Sequence, residues 1–294
     1  MDWTNPFEMP GRWFKGNLHT HTTRSDGVLG VEDRIAAYRE AGYDFIALTD
    51  HFVVSNDAGR STSDFLVLDG VECHTVGPDP GEIWHLVGLD VPPDLAVDRS
   101  MAVDEIKRTL LDAGALTVLA HPYWSGNTVQ RALDLLMEMW AIEVFNATTL
   151  SVGKGTARVH WDDALDWGAR LHGLAVDDSH GVEHDVFMGW VMVRAQALTR
   201  EAVVDALRRG AFYSTTGPRI EEVTIDDGRV RVRCSPATSI TFIAQRYHGR
   251  RVVADAGHRL HDAQYTFTGQ ETYVRIEVWD AAGGTAWTNP IYCR

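Results

Sequence analysis

For about two-thirds of its length the chain alternates short apolar runs with segments of helical periodicity, and this alternation restricts its fold more than any other feature. The apolar runs fall at 13–19, 44–49, 64–72, 82–89, 115–120, 141–145, 170–176 and 187–193. Segments with apolar residues three and four apart lie between several of them, at 31–41, 101–113, 128–139, 156–167 and 199–209. Strands separated by helices favour a parallel sheet or barrel, because a crossover helix brings the chain back to start a parallel neighbour. Asp98 or Ser100 is a candidate start for the second helix and Gly114 its end, while Gly42 and Gly210 follow the first and last. After Thr215-Thr216-Gly217-Pro218 the texture changes. Residues 220–234 read as two alternating strands around an Asp-Gly turn, and further alternating runs follow without a helical stretch. The division expected is a larger α/β domain over 1–217 and a small antiparallel β domain over 218–294.

Charge narrows the partners. The net charge is −14, and residues 218–294, with ten Arg against nine acidic residues, contribute almost none of it. Such a chain lacks the basic footprint with which a duplex-binding protein neutralises phosphates, so no binding of duplex DNA is expected. No run of about 18 apolar residues suggests a membrane span, and the N-terminal segment lacks the basic start and apolar core of a secretory signal. A cytoplasmic location is the expectation. Cys73, Cys234 and Cys293 form no CxxC pair and suggest neither a disulfide framework nor a thiolate zinc site. No GxSxG elbow, P-loop, HExxH or GxGxxG is present to direct the chemistry elsewhere.

Metal-capable side chains collect at the ends of the apolar runs. His19 and His21 close the first run, Asp50 and His51 the second, and Glu72 the third. His121 follows 115–120 directly, and Asp177, Asp178 and His180 follow 170–176. In an extended segment residues i and i+2 point the same way, so both members of His19-Thr20-His21 can reach one ion, and Asp178-Ser179-His180 repeats the spacing. The carboxyl ends of parallel barrel strands share one face, where these groups would converge across some 160 residues of sequence. His85, inside 82–89, can point the same way. His74, His160, His172, His184, His248, His258 and His261 lack this placement and read as ordinary packed or surface histidines.

The stretches Gly16–Gly27 (GNLHTHTTRSDG), Ala47–His51 (ALTDH), Gly70–Glu72 (GVE), Ala120–Pro122 (AHP) and Asp177–His180 (DDSH) together resemble the polymerase and histidinol phosphatase (PHP) superfamily of metal-dependent hydrolases. The opening segment and the later GAFYSTTGPRI look most like its carbaryl-hydrolase-like branch. The resemblance implies a distorted (β/α)7 barrel, here followed by the small β domain, and a cluster of two to three divalent ions. His19, His21, Glu72 and Asp178 would hold the first ion. Glu72 would bridge to a second bound by His85 and His121, with His74 a nearby alternative to His85. Asp26, His51 and His180 would hold the third. Imidazole and carboxylate without thiolate suit Mn²⁺, Zn²⁺ or Fe²⁺.

The activity then expected is phosphoester hydrolysis by a metal-bridging hydroxide, on a small phosphoester, a nucleotide or a short single-stranded oligonucleotide. Asp178 and His180 are the candidate catalytic residues, His180 as a proton donor to the leaving group. Arg24, Lys154 and Arg158 are candidate substrate contacts, and Trp84, Tyr123 and Trp124 candidate walls of an apolar pocket. The alternatives are hydrolysis of a carbamate or carboxylic ester, and a non-catalytic metal-stabilised scaffold.

Overall fold

The computed structural model describes residues 1–77 and 81–293. Its first part runs β1 (Arg12–Asn17), α1 (Val31–Glu40), β2 (Phe45–Leu48), β3 (Leu66–Val76), β4 (Ile83–Leu89), α2 (Val103–Asp112), β5 (Leu116–Leu119), α3 (Pro122–Ser125), α4 (Val129–Leu136), β6 (Ala141–Asn146), α5 (Arg158–Asp166), β7 (His172–Val176), β8 (Trp190–Ala195), α6 (Arg200–Arg208) and β9 (Phe212–Thr215). β2 is apolar throughout and β5 is apolar except for Thr117, and both are buried at every position, as strands covered on both faces must be. The start of α2 differs from expectation. Asp98 accepts from Ser100, and the helix instead begins after Ala102, whose N–H donates to Glu105 at 2.8 Å. The carboxylate of the third helical residue thus satisfies the N–H of the residue before the helix, one half of a capping box, without a capping hydroxyl.

β1–β2, β2–β3, β5–β6 and β6–β7 pair in parallel, whereas β4 runs antiparallel to both β3 and β5, and β8 antiparallel to β1. The architecture is thus mixed α/β, interrupted by one reversed strand inside the parallel run. Beyond β1 and β7 the chain pairs again, in parallel, at Thr20 and Ser179, so the first and last strands of the series meet at their carboxyl ends. One apolar cluster fills the space enclosed by these strands, including Phe14, Phe45, Leu68, Val118 and Leu174. A second packs the outer faces of β3–β7 against α2, α4 and α5 through Leu110, Leu136 and Trp161.

The remaining strands are β10 (Ile220–Asp226), β11 (Arg229–Ala237), β12 (Ser239–Ala244), β13 (Gly249–Val253), β14 (Leu260–Thr266), β15 (Tyr273–Trp279), β16 (Thr285–Thr288) and β17 (Ile291–Tyr292). The β10–β11 hairpin turns on Asp227 and Gly228, both at positive φ (46° and 70°), the requirement that makes Asp-Gly a hairpin signal. Hydrogen bonding does not stop at residue 217. β9 pairs with β16, which pairs with β15, so one large sheet crosses the turn, while β10, β11 and β14 form a separate three-stranded sheet. Tyr273 and Trp287 belong to the same apolar cluster as Trp161, and the fully buried Arg275 donates to Asp162 of α5 at 2.7 and 2.8 Å. Among the described residues no helix is long and apolar enough to cross a membrane.

Candidate metal centre

The carboxyl ends of β1, β2, β3, β5 and β7, joined by β4, bring ten metal-capable side chains to one place. Thr20 and Ser179 pair, as do His51 and Glu72, so the segments leaving β1 and β7, and β2 and β3, are fixed side by side. Asp50 secures the first loop by accepting from the Thr22 N–H and hydroxyl, both at 2.8 Å, and from Ser25. Asp178 (φ 56°), His121 (φ 28°) and Phe52 (φ 55°) all adopt left-handed backbone that β-carbon-bearing residues rarely accept. Three such residues around one cluster are strain concentrated where side chains must be aimed.

The first group is the tightest. Nε2 of His19 lies 3.0 Å from Glu72 Oε2, 3.2 Å from Asp178 Oδ1 and 3.1 Å from His21 Nε2. Nε2 of His21 lies 3.1 Å from Glu72 Oε2 and 3.0 Å from Asp178 Oδ1. Ligands about 2.0 Å from a shared ion stand roughly 3.3 Å apart at the corners of a tetrahedron, closer in an octahedron. Asp178 Oδ1 is buried and has no hydrogen-bond partner. A buried carboxylate oxygen without a donor costs about 1–3 kcal/mol or more, unless something else meets it. Both observations fit a divalent cation held by His19, His21, Glu72 and Asp178.

A second group joins Glu72, His85 and His121. His85 Nδ1 is 2.7 Å and His121 Nε2 3.4 Å from Glu72 Oε1, so the two oxygens of Glu72 face different groups, the arrangement a bridging carboxylate needs. A third gathers Asp26, His51, His180 and, through its other nitrogen, His21. Asp26 Oδ2 stands 3.5 Å from His51 Nε2 and 3.4 Å from His180 Nε2, and Oδ1 3.5 Å from His21 Nδ1. The expected ligands therefore all converge, and His21 faces two groups rather than one.

Charge is balanced inside the cluster. Burial opposes a charge on His19, but Asp178, Glu72 and Glu143 outweigh it and hold the imidazole well above its ordinary range. The same balance lifts His21 to about 9. Burial alone would raise Glu72, yet His19 and His85 beside it keep its carboxyl well below the usual range. His51 is the exception: burial outweighs Glu72 and brings it down to about 4.

Several contributors were not legible in the sequence. Glu143 Oε1 lies 2.6 Å from His19 Nδ1, and its Oε2 accepts from the His121 N–H and from Asn146, both at 2.8 Å. Asn146 also donates to Asp178 at 3.1 Å. With Nδ1 of His19 held by a carboxylate, Nε2 is left for an ion, a carboxylate–histidine pairing typical of metal sites. The available signal was a lone carboxylate in the apolar run 141–145. Thr148, Thr149 and Ser151, on the turn after β6, line a cavity of about 370 Å³ over the cluster together with Trp124.

Some expected residues lie elsewhere. Arg24 is not on that cavity; its guanidinium pairs with Asp57 and ties two loops together. Arg158 pairs with Glu277 at 3.2 Å and lines a second cavity, of about 630 Å³, as does Tyr123. Lys154 sits over the Tyr123 ring at 5.4 Å. Trp84 is a core residue, 4% exposed. Asp177 faces away: it accepts from the N–H groups of Phe187, Met188 and Gly189 and from Tyr38, and burial still pushes its carboxyl up to about 6. His74, the alternative to His85 named from sequence, stands beside it: its Nδ1 is 3.3 Å from His51 Nδ1, and His51, His74 and His85 form a fourth group close enough to share an ion.

Comparison with known proteins agrees at the level of fold. A solved two-domain protein from Bacteroides vulgatus, described as containing a predicted PHP-like metal-dependent phosphoesterase, superposes with a TM-score of 0.52 at 18% identity, covering 97% of this chain and 98% of that one. The two share a fold over nearly the whole of both chains, the C-terminal strands included. A Chromobacterium violaceum amidohydrolase with bound sulfate and no metal covers 58% of this chain and 89% of its own, with 16% identity and a TM-score of 0.44. A family described as a protein of unknown function (DUF3604) matches residues 153–225. No curated protein matches the sequence.

Proposed function

We propose that this chain is a metal-dependent hydrolase of the PHP type, built on a distorted (β/α)7 barrel, that cleaves small phosphoesters. The observation that carries the reading is the set of four buried ligand atoms from His19, His21, Glu72 and Asp178, 3.0–3.2 Å apart, with an Asp178 oxygen that nothing else in the protein meets. Glu72, His85 and His121 would hold a second ion, and Asp26, His51 and His180 a third. Mn²⁺, Zn²⁺ and Fe²⁺ all suit these donors. Bound there, such ions supply Lewis acidity and a water acidic enough to be deprotonated near neutral pH.

The chain's own groups set the rest. Glu143 fixes the His19 ring, and Ser125, 3.1 Å from His121 Nδ1, does the same for His121. His180 Nδ1 donates to the Asp178 carbonyl at 2.8 Å, which leaves Nε2 alone facing the cavity. That nitrogen can hold an ion or carry a proton to the leaving group, but not both at once. Thr148, Thr149 and Ser151 offer hydroxyls along one wall, and Trp124, 40% exposed on another, offers a ring face. A space of about 370 Å³ lies at the lower end for ligand pockets and suits a small substrate or one terminal nucleotide. The Trp124 face also favours an aryl group, which keeps an aryl carbamate or carboxylic ester as the second reading.

Elemental analysis of the purified protein, with turnover measured on a phosphomonoester, a phosphodiester and an aryl carbamate, tests the proposal. Substoichiometric metal and no turnover would refute it, and preference for the carbamate would favour the second reading. Asp178→Asn and His19→Ala are each expected to lower metal-dependent turnover on the order of a hundredfold or more. Full activity in either variant would remove these residues from the centre.

A further inference from the structure

We infer that Arg99, anchored by His74 and Phe52 at the edge of the histidine cluster, is a specificity-determining residue that contacts the negative charge of the substrate. The inference deepens the hydrolase reading and takes from it only the nature of the anion.

His74 stands two residues beyond Glu72 in β3, so its side chain leaves the strand on the same face. Its ring stacks on His85 at 5.2 Å and 26°, and its Nδ1 is 3.3 Å from His51 Nδ1; both neighbours line the cavity. Arg99, from the segment between β4 and α2, donates from Nη1 to His74 Nε2 at 3.1 Å. Its guanidinium also lies 4.7 Å over the ring of Phe52. Phe52 holds its left-handed backbone with its N–H on the Glu72 carbonyl at 2.9 Å, and its ring meets His74 edge-on at 5.0 Å and 79°. One aromatic ring and one imidazole nitrogen thus hold an exposed cation just outside the cavity lining, next to ligands that would hold other cations.

The Arg99 guanidinium is open to solvent and can meet an anion that arrives over the cluster. Among the described residues Arg99 pairs with no carboxylate, in a chain of net charge −14 whose Arg24, Arg60, Arg158 and Arg275 all do. Only one of its five N–H donors is used on a side chain, and the planar fork of the others matches two oxygens of a phosphate or carboxylate. Lysine would bring the charge without the fork.

The test is calorimetric titration of inorganic phosphate into the Mn²⁺-loaded full chain, with metal content measured on every sample. Arg99→Met is expected to raise the phosphate Kd about tenfold or more, Arg99→Lys less, and His74→Ala by an intermediate amount, since Arg99 keeps its charge but loses an anchor. Arg231→Met, on the exposed β11 of the small sheet, serves as the control and should change nothing. A Kd for Arg99→Met within twofold of wild type overturns the inference. So does a weakened Kd that merely parallels lost metal, or a wild type that binds no phosphate. Turnover of p-nitrophenyl phosphate by the same wild-type sample separates the two readings. Phosphate binding that depends on Arg99, in a protein that hydrolyses no ester, would uphold the anion contact and refute the phosphoesterase.

Discussion

At the residue scale the centre depends on groups that never touch an ion. Glu143 is the clearest case, because one carboxylate holds the His19 ring, the His121 backbone and Asn146 together. Glu143→Gln keeps the size but replaces one carboxylate oxygen with an amide, which cannot accept from His19 and Asn146 as before. The expected result is a metal affinity lower by roughly 10- to 100-fold, measured by competition with a chromophoric chelator. An unchanged affinity would mean that His19 is oriented by packing alone. The His19, His21, Asp178 and His180 pattern was legible because period-two spacing on a strand needs only local geometry. Glu143 and Arg99 were not, since nothing in their neighbours along the chain distinguishes a supporting carboxylate or guanidinium from an ordinary one.

At the scale of elements, the apolar runs and helical segments read from sequence correspond closely to β1–β8 and to α1, α2, α4, α5 and α6. The direction of β4 was not readable. A run buried on both faces has the same apolar pattern whichever way its neighbours run, and β4 reverses because only six residues separate it from β3, too few for a parallel crossover. The start of β7 carries a pH dependence. His172 packs against Trp140 and Phe212, its Nδ1 is buried without a partner, and burial holds it down at about 4. The fold therefore favours the neutral ring, while the unfolded chain takes up a proton near 6.5. Stability from this group is complete above about pH 6.5 and falls away as the pH drops toward 4, by about 3 kcal/mol. Urea midpoints for wild type and His172→Gln across that range should diverge, the variant showing the flatter profile; parallel profiles would refute the assignment.

At the scale of the whole molecule, the C-terminal strands are joined to the part carrying the candidate metal centre by a shared sheet, a shared apolar cluster and buried charge. Arg275 is fully buried between Asp162 of α5 and Glu277 of its own strand. Arg275→Met would leave the buried Glu277 with only Arg158 to pair it, and the partly exposed Asp162 without its partner, and is expected to cost about 2 kcal/mol in urea unfolding. A loss under about 1 kcal/mol would show that the acids reach water or shed their charge at little cost. Taken alone, the sequence determined the succession of strands and helices, the change of texture after residue 217 and which imidazoles and carboxylates stand at strand ends. All of these are encoded by residues adjacent or one period apart. Only the tertiary structure decided that β4 reverses, that one sheet crosses the turn at 217, that Arg24 and Arg158 are occupied by Asp57 and Glu277, and that Arg99 stands beside the cluster. Each of those outcomes depends on which distant segments compete for the same partner, a comparison that exists only once the chain has closed on itself.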